Sequence, residues 1–143
     1  MTNFTLNPLI ASTSLFIRQC GLCELRMVND TRYCWLLLIP QLPDIYELSD
    51  LTKSQRHEMM DYASQIADII QEKTKADKMN IATIGNIVPA MHLHIIARHE
   101  GDAAWPNPIW GNGAPIAMDD ETAQNKRDEI HKWLTALSKA QIA

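Results

Sequence analysis

The chain has 143 residues, 46% of them hydrophobic and 21% charged, which fits one soluble globular domain with a sizeable core. Its formal net charge of -4 argues against a broad nucleic-acid-binding face, which needs clustered Lys and Arg. No apolar run approaches the ~20 residues of a membrane span, the start lacks a basic-then-apolar secretory pattern, and three cysteines without a paired framework suit a reducing cytoplasm.

Residues 1–13 read as a polar arm with a turn at Asn7-Pro8 and a short helical turn. Leu15-Phe16-Ile17 is a brief apolar run that reads as an edge strand. Cys20-Gly21-Leu22-Cys23 has the C-x-x-C spacing of half a zinc site. A closed site needs two further ligands, and the favoured reading is one turn cysteine and one strand cysteine with no metal. Leu25 to Val28 alternates as a strand that Asn29-Asp30 closes with turn chemistry. Tyr33 to Ile39 is nearly continuous apolar sequence, as in a central strand covered on both faces, and Pro40 and Pro43 end it.

Leu48 to Thr52 announces a helix, with Ser49 or Asp50 as its cap. No Pro or Gly interrupts the chain from Lys53 to about Lys75, and Met59, Tyr62, Ala63, Ile66, Ile69 and Ile70 recur at helical spacing. Met79 to Ile84 returns to strand character and stops at Gly85-Asn86.

The next stretch runs Ala90-Met91-His92-Leu93-His94-Ile95-Ile96-Ala97-Arg98. Read as a strand from Met91, it puts Ala90, His92, His94 and Ile96 on one side and leaves an apolar face opposite. Imidazoles at i and i+2 then stand roughly 6–7 Å apart at Cβ, which predicts room for a phosphate between the rings. After Arg98 comes a polar turn, then the aromatic, proline-rich run Trp105-Pro106-Asn107-Pro108-Ile109-Trp110. Such a loop can line a pocket, stack a base or pack against a partner chain. A last helix begins between Met118 and Thr122 behind Asp119, Asp120 and Glu121. Its apolar stripe is Ile130, Trp133, Leu134 and Leu137, with His131 near it as a structural residue.

His92-Leu93-His94-Ile95-Ile96, with Asn80 and Gly85-Asn86 ahead and Arg98 and Asp102-Ala103-Ala104-Trp105-Pro106 behind, resembles the histidine triad (HIT) family of nucleotidyl hydrolases and transferases. Asn29-Asp30 followed by Trp35-Leu36-Leu37-Leu38-Ile39-Pro40 is similar to the family's substrate-ribose strand. The chain departs from the pattern twice: the first triad position is Ala90, and Trp35 stands where relatives often carry another histidine.

The resemblance implies a single α+β, HIT-like domain over residues 1–143, with 111–143 as a C-terminal loop and helix. Its sheet is antiparallel, with about five strands, one long helix and a C-terminal helix. It also implies a homodimer that needs no cofactor and acts on a small nucleotide, without a nucleic acid polymer or a membrane as partner. The implied reaction is hydrolysis or transfer through a covalent nucleotidyl-histidine intermediate. Its substrates are dinucleoside polyphosphates, as in similar bacterial HIT proteins, or nucleoside phosphoramidates. Carried over residue by residue, His92 takes the nucleophile position and His94 the phosphate-binding position, while Ala90 still supplies the carbonyl that orients the nucleophile ring. Asn86 and Asn80 are amides near the scissile bond, Asp30 receives the ribose hydroxyls, and Arg98 neutralises phosphate charge. The chemistry is consistent, because an imidazole of ordinary pKa is largely neutral and nucleophilic at pH 7. Ala90 and Trp35 keep open the alternative of a nucleotide-binding protein with little turnover. Some relatives close a zinc site with a helix histidine and the first triad histidine; His57 matches the former, and Ala90 removes the latter.

Overall fold

The computed structural model describes residues 3–138; the outermost parts of the expected N-terminal arm and C-terminal segment, 1–2 and 139–143, lie outside the described residues. Strands β1 (Ser14–Cys20), β2 (Cys23–Val28), β3 (Cys34–Pro40), β4 (Lys78–Thr83) and β5 (Leu93–Arg98) form one antiparallel sheet in the order β1-β2-β3-β5-β4. Helices α1 (Pro8–Thr13), α2 (Lys53–Thr74) and α3 (Asp120–Trp133) complete the α+β, HIT-like arrangement that the resemblance implies.

The β1–β2 hairpin turns on Gly21, whose φ of 56° is left-handed and therefore suits a residue without Cβ. Space makes the same demand, since a Cβ there would lie 2.8 Å from the Tyr62 ring. The turn sets Cys20 opposite Cys23 and so fixes the hairpin register.

α2 starts at a capping box: the Thr52 hydroxyl accepts from the Gln55 amide at 3.2 Å, and the Gln55 side chain accepts from the Thr52 amide at 2.8 Å. Ser49 and Asp50, the expected caps, belong instead to a separate 3-10 turn, Leu48–Asp50. Buried, extended Leu51 breaks the chain between the two. α2 buries Met59, Tyr62, Ala63, Ala67, Ile66 and Ile70; Ala67 takes a core place expected for Ile69, which is only partly buried. This stripe packs on the sheet face formed by Leu36, Leu38, Leu93, Ile95 and Ala97. α3 begins behind Asp119, whose carboxylate accepts from the Thr122 amide at 2.8 Å, and Arg127 ties it to β1 by donating to the Phe16 carbonyl at 2.7 Å. Ala123 and Ile130 are its buried contacts, joined by Leu134 of the 3-10 turn Leu134–Ala136 that follows, whereas His131 is exposed, turned one position off the stripe.

The opposite sheet face holds His94, Ile96 and Arg98, and among the described residues no long helix covers it. Ile10 of α1 and Val88 cover part of it with Leu37 and Ile39; Ala104 and Ile109 cover the rest with Tyr33 and Ile96. β5 begins at Leu93 and not at the expected Met91, because the Met91 amide donates to the Ile45 carbonyl at 2.9 Å before sheet pairing starts. His92 therefore sits at the mouth of the strand and not within it. No helix among the described residues is long and apolar enough to cross a membrane.

Candidate active site

Tight packing of the 84–90 segment shapes the approach to β5. A Cβ on Gly85 would come within 3.2 Å of the Val88 carbonyl, and Val88 is anchored in the core. This fold-back sets Asn86 and His92 on the wall of one cavity of about 400 Å³, which Tyr46, Glu47 and Thr83 also line. His92 is 8% exposed. Its Nδ1 lies 2.7 Å from the Ala90 carbonyl; a carbonyl only accepts, so Nδ1 carries the proton and donates. Nε2 is left with a free lone pair.

His94 has the opposite environment. The Trp35 indole N–H donates to His94 Nδ1 at 2.9 Å, so the neutral ring carries its proton on Nε2. That Nε2 is buried and makes no hydrogen bond of ordinary geometry, although the Ile84 backbone lies close enough to act on the ring. Trp110 meets the His94 ring edgewise at 4.9 Å, and Trp35 lies 5.7 Å away. Burial, with a smaller contribution from His92, holds the pKa of His94 down to about 4, while the Ile84 backbone acts in the other direction. The ring is neutral at physiological pH. His92 and His94 meet edge to face with centroids 4.8 Å apart. The rings stand in edge-to-face contact because His92 precedes β5 and is not held at the spacing of successive same-face residues on a strand.

Asp30, Asn80 and Arg98 are not gathered into this cavity. Arg98, 2% exposed, donates through Nε and Nη2 to Asp102 at 2.8 and 3.0 Å and through Nη1 to the Asn80 side-chain oxygen at 2.8 Å. Asp102 also accepts from the backbone amides of His99, Ala104 and Trp105. Arg98 and these amides hold its carboxyl well below the usual carboxylate range. Asp30 binds Arg32 at 2.8 Å and accepts the Arg32 amide at 3.0 Å, which lowers its pKa against the effect of burial. It lines a different cavity of about 550 Å³, which shares no residue with the one at His92.

Motif reading misses the contact of Trp35 with His94, because it treats Trp35 only as a lost ring. The signal lies in the β3–β5 register, which pairs Leu37 with His94 and Trp35 with Ile96 and so puts Trp35 diagonally beside His94 on one face. Cys20 and Cys23 are buried free thiols; burial pushes Cys20 up to about 11 and Cys23 higher still. His57 is exposed on α2, and among the described residues no group of three or more His, Cys, Asp or Glu is placed to hold a metal.

Comparison with known proteins identifies the family to which this chain belongs. The family described as the HIT domain matches residues 11–101, and the chain belongs to the histidine triad family. A histidine triad protein from Sinorhizobium meliloti is 36% identical, with a TM-score of 0.87 over 91% of this chain and 96% of that one. One from Bradyrhizobium japonicum is 39% identical, with a TM-score of 0.85 over 90% and 96%. One from Marinobacter aquaeolei is 31% identical, with a TM-score of 0.89 over 94% and 98%. No curated protein matches the sequence significantly. Membership places the chain in a family of nucleotide-binding hydrolases and transferases.

Proposed function

We propose that the protein hydrolyses or transfers a nucleoside monophosphate group through a covalent nucleotidyl intermediate on His92. The carrying observation is the 2.7 Å contact from His92 Nδ1 to the Ala90 carbonyl, which survives the loss of the first triad histidine because it needs only backbone. Nε2 attacks the α-phosphorus; a P–N bond forms as the bond to the leaving group breaks, and the leaving group departs with that electron pair. A phosphate leaving group needs no proton, while an amine takes one from solvent. Water then attacks phosphorus, loses a proton to solvent, and returns the bonding pair to Nε2 as the nucleoside monophosphate is released. The Ala90 carbonyl stabilises the positive ring that exists while Nε2 is bonded. Asn86, exposed on the cavity wall, donates to phosphoryl oxygens, and His94 acts on the phosphate as a neutral donor.

Dinucleoside polyphosphates and nucleoside phosphoramidates are the substrate classes, and the working form is a cytoplasmic homodimer. In this reading Asp30, Asn80 and Arg98 serve the site from a distance by holding loops, since Arg32 and Asp102 engage the charges of Asp30 and Arg98. The enclosure of His94 favours one rival, a nucleotide binder with little turnover. Mass spectrometry after mixing with an adenylated substrate separates the two. The expected result is a nucleotidyl adduct on the wild type and none on His92→Asn; an unmodified mass with bound nucleotide would instead identify a binder.

A further inference from the structure

We propose that Trp35 is a positioning residue that fixes the tautomer of His94, so that this ring presents only an N–H to the reacting phosphoryl group. The role in reaction rests on the function proposed above, while the tautomer itself does not. An indole has one donor and no acceptor, so its 2.9 Å contact with Nδ1 is possible only when that nitrogen holds a lone pair. The proton must then sit on Nε2. A buried N–H without a well-formed partner is rare in folded proteins and calls for an explanation; His94 Nε2 is buried and makes no hydrogen bond of ordinary geometry, with the Ile84 backbone as a polar neighbour of the ring. Nearby stands His92, 4.8 Å away between ring centroids and locked in the opposite tautomer by the Ala90 carbonyl. The two partners thus set a nucleophilic lone pair beside a donor. A phosphoryl group carried on His92 is the acceptor that the reaction itself brings to that donor.

The aromatic surroundings support the same assignment. Trp110 closes on His94 at 4.9 Å and meets Trp35 edge to face at 6.4 Å, leaving the Nε2 atom buried. A histidine at position 35 could donate to or accept from Nδ1 and would permit either His94 tautomer; tryptophan permits one. The replacement of a family histidine by Trp35 is then a restriction on the site and not merely a loss from it.

Nitrogen-15 spectra of the imidazoles, with the His94 signals assigned by comparison with His94→Gln, test this without any substrate. Wild-type protein is expected to show a pyridine-like Nδ1 and a pyrrole-like Nε2 for His94. Trp35→Phe removes the donor. Benzothienylalanine placed at position 35 removes it while keeping the shape of the indole, which guards against a packing effect in the phenylalanine variant. Both should give a mixed tautomer population, with kcat reduced on the order of 10- to 100-fold and KM changed much less. A wild-type His94 protonated on Nδ1 would overturn the proposal. So would a donorless variant that keeps the single tautomer, or one that loses it and still turns over at the wild-type rate. Failure of the enzymatic reading shows up separately, as a wild type that forms no nucleotidyl adduct while the nitrogen shifts still report the tautomer.

Discussion

A buried imidazole that stays neutral in acid makes folding pH-dependent, and His94 is such a group. Its pKa is held at about 4 against an ordinary 6.5, so between those values the unfolded chain binds a proton that the folded chain refuses. Stability from this source is unaffected above pH 6.5 and falls as pH drops through the window; the loss reaches about 3 kcal/mol at the lower end. Asp102 acts in a lower window: its pKa is depressed from 3.8, so its contribution is intact above that value and is lost on further acidification. Urea midpoints measured at about pH 7 and about pH 4.5 should differ in the wild type, and His94→Gln should remove most of that difference. An equal difference in the variant would assign the acid sensitivity to other groups. The same residue can be probed by rate, since His94→Ala should slow single turnover about a hundredfold. His92→Asn removes the two-step route and should cost far more. The histidine pair and Asn86 are legible in the sequence because they lie within one short run. The partner of His94 is not, since it lies 59 residues away and only strand register brings it near.

Among the elements, the end of β5 shows how a side chain read as a phosphate contact becomes a strut. Arg98 and Asp102 have side chains only 2% and 8% exposed, and Asp102 gathers three backbone amides of the following loop. That loop carries Trp110 to the His94 ring. Asp102→Ala would strand a buried guanidinium and cost about 3 kcal/mol or more, lowering the melting temperature by roughly 10 °C. Because the loop loses its anchor, tryptophan emission should also shift to the red. Asn80→Ala removes one acceptor and should cost about 1 kcal/mol. Calorimetry decides, and equal small losses for both variants would show that the ion pair is not the anchor. The strands and helices themselves are legible to within a few residues, since alternation and helical spacing are local properties. The α2 cap and the start of β5 shift because tertiary contacts choose among acceptable local options: Leu51 is buried, and the Met91 amide is taken by Ile45. The engagement of Arg98 is illegible for the same reason, as neither its side-chain acceptor Asn80 nor the fold of the Asp102 turn can be read from spacing.

For the whole molecule, a net charge of -4 and a cavity of about 400 Å³ at His92 favour one small anion over a polymer. AMP at a hundredfold its Kd should stabilise the fold by about 2.7 kcal/mol. Tight single-stranded RNA binding with no such shift would defeat the pocket reading. The structure redirects where the interface of the proposed homodimer is sought. Trp105 and Trp110 suggest a partner contact in the sequence, yet each is half-buried and engaged within the chain, Trp105 under Arg98 at 5.7 Å and Trp110 against His94. Apolar surface remains elsewhere: Ile81 on the edge strand β4 is 40% exposed and Met60 on α2 is 42% exposed. An edge strand with free backbone groups and an apolar side chain is a template for pairing with a second copy. Sedimentation at micromolar concentration should therefore give a dimeric mass for the wild type and a monomeric mass for Ile81→Lys, which sets like charges against each other across a symmetric interface. Trp110→Ala should remain dimeric. A wild-type monomer at that concentration would remove the homodimer, and a dimeric Ile81→Lys would move the interface away from β4.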